Sequence, residues 1–341
     1  MSKVTRIGWT DSTWNPVRGC DKVSPGCKHC YAEAFSERFR GVPGHPFEQG
    51  FDLRLVPEKI NEPLHWRTPR RIFVNSMSDL FHDGVPTAYI RRVCDVMMQA
   101  SQHEYQILTK RDQRMKQLLS TPEFRDVAQA THIWWGVSVE DKKYGYPRVQ
   151  ALRETPVRNR FISCEPLVED VASIDLTGIH WVIIGGESGG HSREFQLGWA
   201  RALRDRCFAL RIPLFVKQLG GKAMDGDTLL PIIDDVSQAK KDAHRRVLAH
   251  FPPDLQIQQW PGERMSEPAP LPAPASGGVQ VPGAPITLAP GEMEHMMEWL
   301  GILSRAKETP VGHMAAAALS AMAAIVSYTR EGLDREKGGA R

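Results

Sequence analysis

The sequence lacks any run of about 18 apolar residues, the length that a helix needs to cross a bilayer, so it predicts no membrane span. The N-terminus also lacks the apolar stretch of a signal peptide. Neither sign of charge dominates, because 43 Lys and Arg are balanced by 40 Asp and Glu. Cysteine is scarce, with six in 341 residues, which argues against a disulfide framework of the secreted kind. Together these absences predict a cytoplasmic protein.

Three of the six cysteines lie close together near the N-terminus. Cys20, Cys27 and Cys30 have the spacing C-x6-C-x2-C, with a turn-forming Ser-Pro-Gly between the first two. Three thiolates on one short segment can ligate three irons of a 4Fe–4S cluster and leave the fourth iron open. An open iron suits a radical S-adenosylmethionine (SAM) enzyme, in which one electron cleaves the sulfonium to a 5′-deoxyadenosyl radical. The alternatives are unliganded thiols or a structural zinc site with His29 or His45 as the fourth ligand.

Residues 1–250 alternate short apolar runs with longer amphipathic stretches. Such runs are typical of strands buried on both faces of a parallel sheet. They fall at 72–74, 105–108, 133–137, 160–163, 181–184 and 213–216. Helices are predicted between them at 87–102, 111–119 and 195–210. This alternation predicts an α/β fold, either a barrel or a doubly wound sheet.

Polar residues follow almost every apolar run, and this regularity favours the barrel. In a parallel barrel the C-terminal ends of all strands meet at one rim, where the active site lies. We therefore predict a partial (βα)6-type barrel over residues 1–250. Its candidate site residues are Ser76, Ser78, Asp79, Thr109, Lys110, Arg111, Ser138, Glu140, Cys164, Glu165, Glu187, Lys217 and Gln218.

The composition changes after the predicted barrel. Residues 251–290 are rich in Pro, Ala and Gly, and predict an extended linker. Residues 291–341 contain two amphipathic stretches that predict a helical hairpin. Because an isolated helix pair of this size is marginally stable, we expect it to dock on a partner, on a second copy in a homodimer, or on the barrel.

Several segments resemble, in order, a family of phage and bacterial radical-SAM-like proteins with a three-cysteine motif. They are residues 7–16 with the cysteine cluster, 75–81, 108–111, 135–140, 165–167, 185–189 and 215–218. The resemblance covers residues 5–235 and implies a partial barrel, a 4Fe–4S cluster, SAM, and the cytoplasm of a phage-infected bacterium. Six residues between the first two cysteines, rather than three, depart from the commonest radical-SAM pattern.

The resemblance also divides the candidate residues between cofactor and substrate. Asp79 would accept hydrogen bonds from the methionyl ammonium of SAM, and Ser76 or Ser78 would bind polar backbone atoms. Ser138 and Glu140 would bind the ribose hydroxyls. The cofactor side also includes Thr109 and Lys110, and the catalytic side comprises Cys164, Glu165, Glu187 and Lys217. A cavity-facing Cys164 thiol could donate a hydrogen atom to a product radical, or be packing only.

The phage resemblance favours DNA or a modified nucleotide as the substrate, together with an electron donor. We predict an isomerase-type rearrangement of a modified pyrimidine, such as an amino-acid substituent on the 5-methyl carbon of thymine. In intact DNA the base would have to flip into the barrel. Candidate DNA contacts are Arg67, Arg70, Arg71, Trp134, Trp135, Lys142, Lys143, Tyr144 and Arg148. The alternatives are a radical-SAM DNA-repair lyase, an iron–sulfur nuclease or accessory protein, and a zinc-stabilised, non-catalytic nucleic-acid-binding protein.

Overall fold

The computed structural model describes residues 5, 7–188, 191–230 and 251–262. These ranges cover most of the predicted barrel and a short segment after it. The predicted hairpin at 291–341, and most of the predicted linker, lie outside them. Within the described ranges no helix is both long and apolar enough to span a membrane.

In the described residues seven parallel strands form one main sheet. The strands within the described ranges are β1 (Ser12–Trp14), β2 (Val17–Arg18), β3 (Arg54–Leu55), β4 (Arg71–Val74), β5 (Glu104–Thr109), β6 (Ile133–Ser138), β7 (Asn159–Cys164), β8 (Trp181–Gly185), β9 (Phe195–Gln196), β10 (Leu214–Gln218), β11 (Ala223–Asp225) and β12 (Thr228–Leu229). The main sheet has the order β1-β4-β5-β6-β7-β8-β10, so its strands follow chain order without a reversal. A doubly wound sheet reverses at a switch point, and this one does not.

The main sheet is curled. Flat, β4 and β10 would be about 24 Å apart, because five spacings of about 4.8 Å separate them. Nevertheless Phe73 of β4 and Lys217 of β10 line the same small cavity. The ring of Trp9 also lies 4.6 Å from Phe73 and 6.1 Å from Trp181 of β8, measured between centroids. Because the edge strands β1 and β10 are not paired with each other, the sheet is an incomplete α/β barrel.

All six predicted strands are present, and the α/β barrel prediction is confirmed. The prediction of six strands missed a seventh, β1. This strand pairs in parallel with β4, with Ser12 opposite Ile72 and Trp14 opposite Val74. Only three residues long, two of them polar, β1 has no apolar run that would mark a buried strand. Its pairing with β4 positions the segment that leads into the cysteine cluster.

Helices connect the strands and cover the convex face of the sheet. They are α1 (Tyr31–Glu37), α2 (Thr87–Gln99), α3 (Asp112–Leu119), α4 (Arg125–Ala128), α5 (Lys142–Glu154) and α6 (Leu197–Ala209). The predicted helix at 87–102 ends three residues early, and the one at 195–210 loses its first two residues to β9. The concave face is instead filled by an aromatic cluster that includes Trp9, Phe73, Phe161 and Phe215.

Residues 251–262 pack on the barrel, so the predicted linker starts too early. Phe251, Leu255 and Ile257 are buried in the core. The carbonyl of Ile257 accepts a hydrogen bond from Val216 N at 2.8 Å, which adds this segment to the edge of β10. Backbone pairing at a sheet edge needs no amphipathic pattern. The sequence of this segment therefore shows only its prolines, which are typical of a linker.

Candidate functional site

Polar side chains at the C-terminal ends of the strands line two adjoining cavities. The first has a volume of about 150 Å³ and the second of about 140 Å³. Residues that line both are Cys30, Tyr31, Phe73, Leu108, Lys110 and Ser138. The cavities therefore share a wall, and a molecule in one lies next to a molecule in the other.

The three clustered cysteines line the first cavity. Cys20 is fixed to the barrel by its backbone N–H, which donates to Phe51 O at 3.1 Å. The predicted turn is the 3-10 turn Pro25–Cys27, and Cys30 stands at the N-cap of α1. All three thiols are free and half-buried. A strand end, a turn and a helix start thus bring together thiols that are up to ten positions apart in sequence.

The donor set fits an iron–sulfur cluster better than a single zinc ion. A structural zinc site would need a fourth ligand beside the three thiols. A cluster distributes thiolates over separate irons, so the thiols need only face one cavity. Neither His29, which lines the second cavity, nor His45, which stacks on Phe39 at 3.8 Å, lines the cavity of the thiols.

Asp79 lies at the centre of a hydrogen-bond network in the first cavity. Its Oδ1 accepts from Phe81 N at 2.9 Å and from Thr109 Oγ1 at 2.8 Å. Its Oδ2 accepts from Lys110 N at 3.1 Å and from Arg111 Nη1 at 3.2 Å. Four donors leave little capacity for the methionyl ammonium that the sequence assigned to Asp79. This carboxylate instead holds the end of β5 and its arginine in place.

Arg111 joins this network to the first cysteine. Its Nη1 lies 3.2 Å from Cys20 Sγ, and its Nη2 donates to Asp21 O at 3.4 Å. Burial and the charge of Asp79 raise the pKa of Cys20 to about 11, against the opposing effect of Arg111. The free thiol is therefore protonated at neutral pH, and metal ligation would release that proton.

The predicted serines of this cavity already serve the scaffold. Ser76 Oγ donates to Asn15 Oδ1 at 3.2 Å, and Ser78 Oγ donates to Val17 O at 2.8 Å. The hydroxyl of Tyr31 donates to Ser76 O. Sequence reasoning missed Asn15 and Tyr31, although both stand in or beside the motifs that it used. Their hydrogen bonds tie the cysteine segment to the end of β4.

Lys110 and Ser138 form the wall between the two cavities, with Lys110 Nζ 3.2 Å from Ser138 Oγ. The prediction for Glu140 is wrong, because its side chain is fully buried and lines neither cavity. Its Oε2 accepts from Arg148 Nη1 at 2.6 Å. Two residues beyond Ser138, Glu140 thus forms a buried ion pair with Arg148, while its Oε1 has no hydrogen-bond partner among the described residues.

The second cavity combines an apolar floor with charged walls. Its floor is formed by Ile7, Trp9, Phe73 and Leu108. Glu165 Oε1 accepts from Lys217 Nζ, and from Gln218 Nε2 at 3.2 Å. One wall thus offers an ammonium, an amide and a carboxylate to a molecule that lies on the floor.

Glu187 also lines the second cavity, paired with Arg193 at 2.7 Å. Burial acts to raise the pKa of Glu187, but the hydrogen bonds from Arg193 outweigh it and leave that pKa lowered. Glu187 is therefore ionised at neutral pH. The Gly185–Glu187 segment lies at the end of β8, four strands along the sheet from β4, at whose end a methionyl contact was expected.

The prediction that Cys164 faces the cavity is wrong. Its thiol is completely buried in the core on the convex side, and burial together with the charges of Cys207 and Glu140 raises its pKa. Side chains alternate along a strand, so the neighbouring Ser163 lines the second cavity instead. Ser163 Oγ is buried and has no hydrogen-bond partner among the described residues. The period-two alternation of β7 was the signal that could have identified it.

Several predicted DNA contacts lie away from the rim. Arg148 is buried against Glu140, and Trp135 is fully buried in the core. Arg71 begins β4 and, with Trp134, lines a cavity at the other end of the barrel. Of the predicted set, Lys142, Lys143 and Tyr144 begin α5 directly after the β6 strand end. The basic residues therefore do not form one surface around the cavities.

Comparison with solved structures gives weak likenesses to spore photoproduct lyase. A structure with bound AdoMet and dinucleoside spore photoproduct has a TM-score of 0.37 and 12% sequence identity, over 60% of this chain and 63% of that one. A mutant of the lyase gives 0.38 and 11%, over 74% of this chain and 77% of the other. This chain thus spans less than two thirds of the first structure. No curated protein matches the sequence significantly. A family profile described as a protein of unknown function, DUF5131, matches residues 4–255, and this chain belongs to that family.

Proposed function

We propose that this protein is a radical SAM enzyme that remodels a modified pyrimidine. The observation that carries the proposal is that Cys20, Cys27 and Cys30 line one cavity at the C-terminal rim of an α/β barrel, directly beside a second cavity. A cluster bound to these thiols would leave one iron for SAM and would supply the electron that yields a 5′-deoxyadenosyl radical. The binding of SAM and of the substrate would fall to the side chains that line the two cavities.

The first cavity and its shared wall suit the cofactor. Lys110 makes one hydrogen bond through its ammonium, to Ser138, and has N–H donors left for the carboxylate of SAM. Ser138 Oγ stands at the same wall and is suited to a ribose hydroxyl. Asp79 and Thr109 act indirectly, because their hydrogen bonds fix the backbone from which Lys110 projects.

The second cavity suits a flat heterocycle with a charged substituent. The apolar floor around Trp9 and Phe73 can pack against one face of a base, and the buried Ser163 hydroxyl can pair with a polar edge atom. The ion pair of Lys217 and Glu165 has the charges needed to bind the carboxylate and ammonium of an amino-acid substituent. This combination supports a pyrimidine that carries an amino-acid adduct, and an isomerisation of that adduct, as the substrate class and reaction.

The experiment is anaerobic cluster reconstitution followed by a dithionite assay for 5′-deoxyadenosine. The wild-type chain should bind iron and sulfide and cleave SAM. Cys27→Ala should lose the cluster and the cleavage together. Cys207→Ala removes a fully buried thiol that lines neither cavity and should retain both. Retained cleavage in Cys27→Ala would refute the proposal.

The substrate is tested separately with the reconstituted enzyme. Thymidine nucleotides with an amino-acid substituent on the 5-methyl carbon should give a product of unchanged mass. The hydrogen atom taken from the substrate would return from 5′-deoxyadenosine to the product radical, so product should form in excess over 5′-deoxyadenosine. Unmodified thymidine nucleotides are the matched control. If both classes behave alike, the radical chemistry stands and the pyrimidine substrate is wrong.

A further inference from the structure

Arg111 lies in hydrogen-bond contact with a predicted cluster ligand, Cys20. Its Nη1 lies 3.2 Å from Cys20 Sγ and 3.2 Å from Asp79 Oδ2, and its Nη2 donates to Asp21 O at 3.4 Å. The guanidinium therefore spans the cysteine segment and the barrel. Its side chain is only 9% exposed, so solvent screens its charge weakly.

The position of Arg111 is fixed from both sides. Its partner Asp79 is held by Thr109 Oγ1 and by the backbone of Lys110. Its own backbone N–H donates to Thr109 Oγ1 at 2.8 Å, directly before α3 begins. These contacts hold the guanidinium beside Cys20 before any cluster binds.

We propose that Arg111 raises the reduction potential of the cluster by donating a hydrogen bond to the sulfur of Cys20; this inference rests on the proposed function. Hydrogen bonds to the sulfurs and the net charge around a cluster set its potential. Reduction adds negative charge to the cluster and its sulfurs, so a buried cation beside one sulfur favours the reduced form. Arg111 is thus a tuning residue that makes it easier to load the electron used on SAM.

The guanidinium fork explains why an arginine stands here. One planar group donates to a sulfur, a carboxylate and a backbone carbonyl at once, which a lysine ammonium on a flexible chain does less well. The adjacent Lys110 points to Ser138 and makes no described contact with a cysteine. The two neighbouring cations therefore have different targets and do not substitute for one another.

The test is a redox titration of the reconstituted cluster in the absence of SAM. The EPR signal of the reduced cluster measures how much of it is reduced at each potential. Arg111→Gln should move the midpoint to a more negative potential. At the wild-type midpoint the ratio of reduced to oxidised cluster should fall about tenfold, equivalent to about 59 mV for one electron. Arg111→Lys, which keeps the charge but lacks the fork, should show a smaller shift in the same direction.

Arg114→Gln is the matched control. Arg114 lies on α3, is partly buried, and donates to the carbonyls of Phe81 and Val85, with no described contact to a cysteine. Its midpoint should equal that of the wild type. Equal midpoints for Arg111→Gln and the wild type would overturn the inference while leaving the proposed function intact. If Arg111→Gln binds no cluster, the midpoint of Arg111→Lys decides in the same way. A wild-type chain without iron would overturn both proposals.

Discussion

Replacing Gly19 with alanine should detach the first cysteine from the barrel. Gly19 has φ = +79°, a backbone conformation that glycine adopts readily and alanine does not. A Cβ at this position would lie 2.2 Å from Asp52 O and 2.5 Å from Phe51 O. Backbone atoms on a neighbouring segment cannot move aside as a flexible side chain can. The segment that carries Cys20 must therefore shift.

The size of the effect follows from the contacts at risk. Alanine in the left-handed region costs about 1 to 2 kcal/mol. The shift also breaks the hydrogen bonds from Gly19 N to Met77 O and from Cys20 N to Phe51 O, both 3.1 Å, each contributing about 1 kcal/mol. We expect about 3 to 4 kcal/mol in total, enough to open this segment while the barrel stays folded.

Gly41→Ala is the matched control. Gly41 has φ = +77°, but nothing lies within 4 Å of the Cβ that alanine would add, so this variant has the backbone strain without the collision. Hydrogen exchange should show faster exchange of the Cys20 amide in Gly19→Ala only, and the same variant should bind much less iron after reconstitution. Equal exchange and equal iron content in both variants would refute this account of the cysteine segment.

Three further predictions concern the second cavity and its surroundings. Cys164→Ala should destabilise the fold by about 1 kcal/mol and leave product formation unchanged, since the thiol faces the core; loss of product with normal 5′-deoxyadenosine release would restore Cys164 as a hydrogen donor. Arg193→Gln should lower the free energy of urea unfolding at neutral pH. This loss should shrink as the pH falls through the lowered pKa of Glu187, because the pair contributes fully above the usual Glu pKa of about 4.3 and no longer contributes below the lowered pKa; a loss independent of pH would contradict that pairing. Lys217→Met should abolish substrate turnover, measured by product formation, yet keep uncoupled SAM cleavage; normal turnover would exclude Lys217 from the substrate site.

Much of the barrel could be predicted because buried parallel strands have continuous apolar runs. The run from Ile133 to Val137 and the run from Trp181 to Ile184 have few alternatives to a buried strand in a chain of this pattern. The three residues of β1 have no such run, and they are a strand only because β4 is available to pair with them. The segment at 251–262 was likewise concealed, since its contacts with β10 are mainly backbone hydrogen bonds.

The candidate site was predictable in residue type and position but less so in role. Strand ends identified Asp79, Lys110 and Lys217 as residues of the rim, and all three line the cavities. Which groups stay free depends on local backbone geometry, and four donors already satisfy Asp79. Cys164 was misassigned because its chemistry was weighed without the alternation of side chains along β7, which directs Ser163 inward instead.

The central claim is that three cysteine thiols hold an iron–sulfur cluster that cleaves SAM. Its most direct test is anaerobic purification with iron and sulfide analysis, followed by a dithionite assay with SAM. The account predicts about four irons per chain, loss of iron when Cys20, Cys27 or Cys30 is replaced by alanine, and release of 5′-deoxyadenosine. One zinc per chain, with no cleavage of SAM, would contradict it.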